Sequence, residues 1–365
     1  MTGIYISHPF CAQKCTYCNF ASGVFPRALE EKYGQALSAE IRTSSFAGGV
    51  DTVYLGGGTP SAMPLELLDE ILRAIPGRPW REATIETAPG TVTLERARAW
   101  ILSGINRVSL GVQSFVQHEL ARTGRRHSAA VVEAEIAVLR ECGLSNLNID
   151  LIAGLPGQTE ASWRESLDWI EKLAPPHVSI YMLEVDEDSR LGAEILLGGK
   201  RYGAFDAPSD DMCAAFYETA VERLSGMGIP RYEISNFARP GCESIHNLKY
   251  WQRTPYTGFG ADAHSFDGAR RWQNVESATD YVARWERGES ARAESSDANA
   301  GEEKFFVGLR LSEGVVTTAE DGEQYAEPIE RFVESGLLER DGARIRLTNQ
   351  GVLLSNEVFQ EFLNA

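Results

Sequence analysis

Apolar residues fall into two repeating patterns over the first half of the chain. Short β-rich runs at residues 3–6, 52–55, 83–87, 107–112, 147–152 and 178–182 are bounded by polar or glycine-containing stretches. Between the first two runs, Leu29, Tyr33, Leu37 and Ile41 recur every four residues, close to the helical period, and similar spacing returns over 131–139 and 163–173. Strands alternating with helices predict a parallel sheet, because each parallel strand needs a crossover to bring the chain back. Six such units predict an α/β fold built as an incomplete (β/α)6 barrel, open on one side. Periodicity alone fits a doubly wound sheet nearly as well.

The pattern changes after the sixth run. Residues 184–211 carry Glu184, Asp186, Glu187, Asp188, Glu194, Asp206, Asp210 and Asp211 against Arg190, Lys200 and Arg201, with Gly198-Gly199 and Pro208 as breakers. This reads as an exposed connection, followed by a helix through Phe216, Val221 and Leu224. From about Glu302 a third region begins. Ile329, Phe332, Val333 and Leu337 form a helical stripe, and RDGARIRL reads as a hairpin turning at Asp341-Gly342, so that an α+β extension ends in a small winged-helix-like unit. Glu313, Glu320, Asp321 and Glu323 make that neighbourhood acidic, which favours a lid or packing role over DNA binding. The expected division is 1–230, 231–300 and 301–365, with no internal repeat.

Hydrophobic residues make up 43% and charged residues 24% of the 365, an ordinary globular balance that excludes a disordered chain. No apolar run approaches the roughly 20 residues that cross a bilayer, so no integral membrane segment is expected. The N-terminus, MTGIYISHPFCAQKC, lacks the order of a secretory signal, so a cytoplasmic location is expected. The net charge is −17, and a nucleic-acid partner is disfavoured because that affinity comes largely from Lys and Arg neutralising phosphates.

Six cysteines are too few for a disulfide scaffold in a chain of this length, and their distribution is uneven: Cys11, Cys15 and Cys18 lie within eight residues, whereas Cys142, Cys213 and Cys242 are scattered. Structural zinc calls for four ligands, usually in paired knuckles, and no second pair exists. Buried free thiols would not normally cluster in a loop straight after the first strand. Iron–sulfur clusters take thiolate ligands, and three thiolates on a [4Fe–4S] cluster leave one iron open to an outside ligand. C-x3-C-x2-C in this position resembles the signature of the radical S-adenosylmethionine (SAM) enzymes. In that family the open iron chelates SAM, and one electron from the cluster breaks a carbon–sulfur bond to give a deoxyadenosyl radical. Tyr17 matches the aromatic residue before the last cysteine, and Leu55-Gly56-Gly57-Gly58-Thr59-Pro60 resembles the family's second signature, in which missing side chains let backbone approach the SAM amino group.

Further stretches resemble the oxygen-independent coproporphyrinogen oxidase branch, the HemN-like proteins. Tyr5 stands six residues ahead of Cys11, Glu86 lies in ATIETAPGT, Gln113 in LGVQSF, Arg125 in TGRRH and Asp150 in NIDLIAGLPGQT. The resemblance implies that these residues, with Tyr17, Gly57, Gly58 and Thr59, hold SAM. Their chemistry fits: Arg125 can fork to a carboxylate, and Glu86 and Asp150 can accept from an ammonium or from ribose hydroxyls. The decarboxylating enzymes carry a further cysteine two residues after the motif, where this chain has Asn19-Phe20, and an N-terminal extension ahead of the first strand, which here starts almost at Met1. Both departures weigh against a decarboxylase.

The string His246-Asn247-Leu248-Lys249-Tyr250-Trp251, preceded by YEISNFA, resembles the HemW subgroup of haem chaperones, and the likeness runs from Tyr5 to the C-terminal LLSNEVF. It implies haem as cargo, a haem-acceptor protein, and an electron donor if the cluster is redox active. His246 can ligate iron, and Tyr250 and Trp251 offer flat faces to a macrocycle. The competing reading makes these residues core aromatics and a satisfied polar group. His264 is a second candidate axial ligand, although a structural role is the better reading for it, as for Cys242, Cys142, Cys213 and His127. A radical enzyme, either decarboxylase or methyltransferase, is the rival function. The chain does not name the acceptor or the oligomeric state, a homodimer included.

Overall fold

The computed structural model of the protein describes residues 1–46 and 49–363. Six parallel strands form the centre of an eleven-stranded sheet: β1 (Thr2–His8), β2 (Val50–Gly57), β3 (Glu82–Thr87), β4 (Arg107–Gln113), β5 (Leu147–Ala153) and β6 (His177–Met182). Each contains one of the six runs expected from the sequence, and the helices Arg27–Thr43, Ala129–Glu141 and Glu160–Leu173 contain the three periodic stretches. The strands lie side by side in chain order. A doubly wound sheet would reverse that order at a switch point, so the barrel reading holds.

Alternation along these strands divides them into two faces. Ile4, Ile6, Val53, Leu55, Ile85, Val108, Leu110, Ile149, Leu151, Val178 and Ile180 are at most 1% exposed. Each contributes on the order of 1.5–3 kcal/mol by leaving water. The residues between them are mostly polar: Thr52, Tyr54, Glu82, Thr84, Glu86, Arg107, Ser109, Asn148, Asp150, His177, Ser179 and Tyr181. These line an inner face. Tyr54 on β2 feels the phenol of Tyr181 on β6, four strands away. At about 4.8 Å per strand a flat sheet would hold them roughly 19 Å apart, so the sheet curls around a lumen.

Residues 231–300 join this same sheet at both edges. β7 (Asn236–Ala238) pairs antiparallel with β6, while β8 (Tyr256–Phe259) pairs parallel with β1 and is continued antiparallel by β9 (His264–Phe266), β10 (Arg270–Asn274) and β11 (Arg292–Asp297). The helix Ile245–Trp251 closes the lower end of the lumen. Glu82 receives its first N–H groups, Ile245 N and His246 N each at 2.9 Å, and Lys249 Nζ reaches the buried Asp51 carboxylate at 2.8 Å. Gly3 leaves room for it, since a Cβ there would stand 3.1 Å from the His246 ring.

Two expectations need correction. The acidic connection is not simply exposed: it forms a short helix, Arg190–Leu196, that packs on the cysteine loop, with Leu191 N donating to Thr16 O at 2.8 Å and Asn19 Nδ2 to Asp186 Oδ2 at 2.8 Å. The C-terminal hairpin turns at Gly342-Ala343 rather than Asp341-Gly342, because Asp341 still pairs with Arg344 and Gly342 takes the φ of +59°. That hairpin, β13 (Leu338–Asp341) and β14 (Arg344–Leu347), joins β12 (Val315–Val316) in a small antiparallel sheet beside the helix Ala326–Glu334. Backbone bonds tie the unit to the barrel segment, Ile234 N to Arg310 O and Ser312 N to Tyr232 O, both at 3.0 Å.

Candidate functional site

The three clustered cysteines leave the carboxyl end of β1 on one loop, where each is half-buried and free. Burial pushes the Cys11 thiol up, hydrogen bonds with Thr59 and Ser22 pull it back, and the neighbouring Cys18 and Cys15 push it up again. The three sulfurs therefore share one small region. The Gly-rich end of β2 braces this loop: Gly58 N donates to His8 O and Thr59 N to Phe10 O, both at 2.9 Å. A Cβ on Gly58 would stand 2.7 Å from Phe10 O, so the bare backbone here is required by the protein's own chain before any ligand is considered.

Arg125 adds positive charge beside two of the thiols. Its guanidinium donates to the Tyr17 hydroxyl at 2.9 and 3.3 Å. Burial works against its charge, but Tyr17, Cys15 and Cys18 outweigh that and hold it protonated. Gln113 lies next to it, at a β4 bulge with φ +70°, both side chains crowding the bare Gly111.

Each of the first five central strands carries a half-buried residue flanked by buried ones, Tyr5, Tyr54, Glu86, Gly111 and Asp150, and β2 ends on a second, Gly57. On β6 the corresponding residue, Tyr181, is exposed. Tyr5 stacks on Tyr54 at 6.1 Å, and the Tyr54 hydroxyl donates to Glu86 Oε1 at 2.8 Å. Burial pushes Glu86 up to about 7; the bonds from Tyr54 and the Gly57 N–H restrain it, and the Asp150 charge raises it further. Asp150 is also raised by burial, against the pull of donors that include Asn148 at 2.7 Å and Ser109 at 3.0 Å. The lumen thus presents phenols and carboxylates around a solvent-reached centre.

The H-N-x-x-Y-W string does not present its histidine as expected. His246 is wholly buried; Nδ1 is 2.9 Å from Thr52 Oγ1 and Nε2 is 2.8 Å from the Tyr250 hydroxyl. Burial lowers it to about 3, with Lys249 and Arg107 adding to the effect, so the ring is neutral and both nitrogens are engaged. Tyr250 is half-buried and feels the Tyr5 phenol, which places it at the lumen, whereas Trp251 packs under the Arg310 guanidinium at 5.0 Å.

Residues 5–170 match the radical SAM superfamily and residues 296–354 the HemN C-terminal domain. The chain is 34% identical to the haem chaperone HemW of Bacillus subtilis, over 100% of this chain and 99% of that one, and 32% identical to that of Lactococcus lactis, over 98% and 96%. The chain belongs to the HemW family. A radical SAM domain-containing mitochondrial protein of Bos taurus is 29% identical over 99% of this chain and 87% of its own. The solved structure of Escherichia coli HemN, a coproporphyrinogen III oxidase, superposes with a TM-score of 0.85 over 99% of this chain and 89% of that one, at 22% identity, which speaks to the fold.

The radical SAM domain of a HemW-family protein implies a [4Fe–4S] cluster and SAM, and the residues fit both. Among the described residues no group of three or more His, Cys, Asp or Glu is set around a single ion, yet three free thiols share one loop beside a buried guanidinium, as a multi-iron cluster with separate ligand positions requires. The lumen carboxylates and phenols beside them are the acceptors that an ammonium and ribose hydroxyls need. Sequence reasoning missed Tyr54, Tyr181, Glu82 and Thr52. Strand alternation could have found the first two, since Tyr54 precedes Gly56 by two and Tyr181 is the last residue but one of β6.

Proposed function

We propose that this protein is a cytoplasmic haem carrier on a radical-SAM scaffold, taking up haem and delivering it to an acceptor protein. Full-length similarity to haem chaperones carries this reading. In it, Cys11, Cys15 and Cys18 ligate the cluster, and Tyr5, Tyr17, Gly57, Gly58, Thr59, Glu86, Gln113, Arg125 and Asp150 surround SAM. When bound, cluster and SAM supply one-electron chemistry. The chain's own residues hold them: Arg125 balances the thiolates, Tyr17 fixes Arg125 against the loop, and the Arg190–Leu196 helix shields one side. Residues 1–230 provide this core, 231–300 the edge strands and the haem-facing aromatic Tyr250, with Trp251 packed behind it under Arg310, and 301–365 a packing unit.

The lumen supports a carrier over a porphyrinogen decarboxylase. The strongest charges acting on Tyr5, Tyr54, Tyr181 and Tyr250 are mostly acidic, from Glu86, Asp150, Asp262 and Glu233, with Arg107 opposing them at Tyr54. A substrate bearing four carboxylates gains little from such a wall. Anaerobic incubation of the reconstituted protein with coproporphyrinogen III, SAM and reductant should give no turnover; protoporphyrinogen formed over many cycles would replace the carrier with an enzyme.

A further inference from the structure

Five of the six histidines are committed to the fold. His8 is 1% exposed and 3.4 Å from Glu30; His177 bonds Asn148 and Tyr232 at 2.6 and 2.9 Å; His246 bonds Thr52 and Tyr250. His127 is buried and bonded to the Val112 backbone, and His118 Nε2 is 3.1 Å from Gly157 O. His264 differs. Among the described residues it is the histidine whose ring is solvent-exposed with no hydrogen bond, ion pair or ring contact engaging it.

Its position gives that freedom a use. On β9, His264 and Phe266 share one face by strand alternation, opposite Gln273 and Arg271 of β10. Gln273 Nε2 donates to Asp262 Oδ1 at 2.8 Å, and Asp262 helps to raise the Tyr5 phenol. Phe266 pairs with Tyr256, whose ring meets Tyr250 edge-on at 4.6 Å, and Tyr250 in turn feels the Tyr5 phenol. The face that carries His264 is therefore continuous with the aromatic wall of the lumen, where Tyr5 and Tyr250 are half-buried and present ring surface.

We infer that His264 is the imidazole that ligates haem iron, with Tyr5 and Tyr250 as the surface on which the macrocycle lies. This rests on the haem-carrier reading above. The step is a dative bond: the neutral imidazole lends a lone pair to iron, and no electron or proton changes hands. The site accounts for what His246 cannot supply, since both nitrogens of that ring are engaged beneath the lumen.

The test is an anaerobic titration of reconstituted wild type, His264→Ala and His118→Ala with ferric haem, read by Soret absorbance and by electron paramagnetic resonance. His264 is exposed, so its substitution should leave the fold intact. The expected result is imidazole-type coordination in wild type and in His118→Ala. His264→Ala should lose that signature, bind about tenfold or more weakly, and regain the signature on addition of free imidazole. Unchanged spectrum and affinity in His264→Ala overturn the assignment while leaving haem carriage standing. Absence of haem binding by wild type removes both.

Discussion

Glu86 gives the lumen a pH signature that can be isolated by one substitution. Its carboxyl titrates at about 7 in the fold against a reference of 4.5. From pH 4.5 upward the unfolded chain therefore releases this proton first, and the ionised unfolded state gains on the folded one. Stability is whole below pH 4.5 and is lost as pH rises through 7. At about 1.4 kcal/mol per pH unit, the full gap is worth roughly 3 kcal/mol. Glu86 is half-buried beside a solvent-reached lumen, and screening reduces this to about 1–2 kcal/mol. Glu86→Gln retains an acceptor for the Tyr54 hydroxyl but does not titrate. Urea unfolding of cofactor-free wild type and variant should show the variant gaining about 1–2 kcal/mol relative to wild type between pH 5 and pH 8, with equal m-values. Glu233, also raised by burial to about 7, and His246, lowered by burial to about 3, impose slopes of their own, but both are present in the two proteins and cancel in the difference. A difference that stays flat over this range would refute the burial and Asp150 coupling assigned to Glu86.

Further outcomes follow from the same geometry. Cys15→Ala should abolish the visible absorbance of the reconstituted cluster and most of its iron; normal iron content would remove Cys15 from the ligand set. Gly58→Ala places a methyl 2.7 Å from Phe10 O. It should cost about 1–3 kcal/mol and impair cluster reconstitution, whereas wild-type melting and iron uptake would show the loop yielding freely. Asp51→Ala leaves the buried ammonium of Lys249, on the helix that closes the lumen, without its carboxylate and should cost about 3–5 kcal/mol in denaturant unfolding. The double change Asp51→Leu with Lys249→Met should recover most of that, and equal losses in both proteins would count against the pair.

Much of the core was legible because its physics is local. Runs such as 107–112 carry strand alternation within themselves, so β4 could be read without its neighbours. The clustered cysteines and the Gly triplet could likewise be read as a pair of motifs. What escaped depends on distant partners. β8 pairs with β1 through Gly3 and Tyr256, and the edge strand β11, RAESSD, is exposed along its whole length with no apolar alternation to announce it. At His246 the sequence leaves a haem ligand and a satisfied polar group both open, because it shows the imidazole and not Thr52, which lies 194 residues away and engages Nδ1. The acidic 184–211 connection was read as exposed because charge predicts solvent. Yet Asp186 accepts from Asn19, and Leu191 is 1% exposed, so a charged segment can still be a cover.

If haem is cargo on this scaffold, the protein binds it in a fixed ratio and gives it up to an acceptor. An anaerobic equilibrium titration of the reconstituted full chain with haem, with and without SAM, tests it most directly. The expected result is a saturable Soret band at one haem per chain, and haem that passes from the loaded protein to an added haem-free haemoprotein such as apomyoglobin. Absorbance that rises without saturation, as for haem adsorbed on any protein surface, would contradict it.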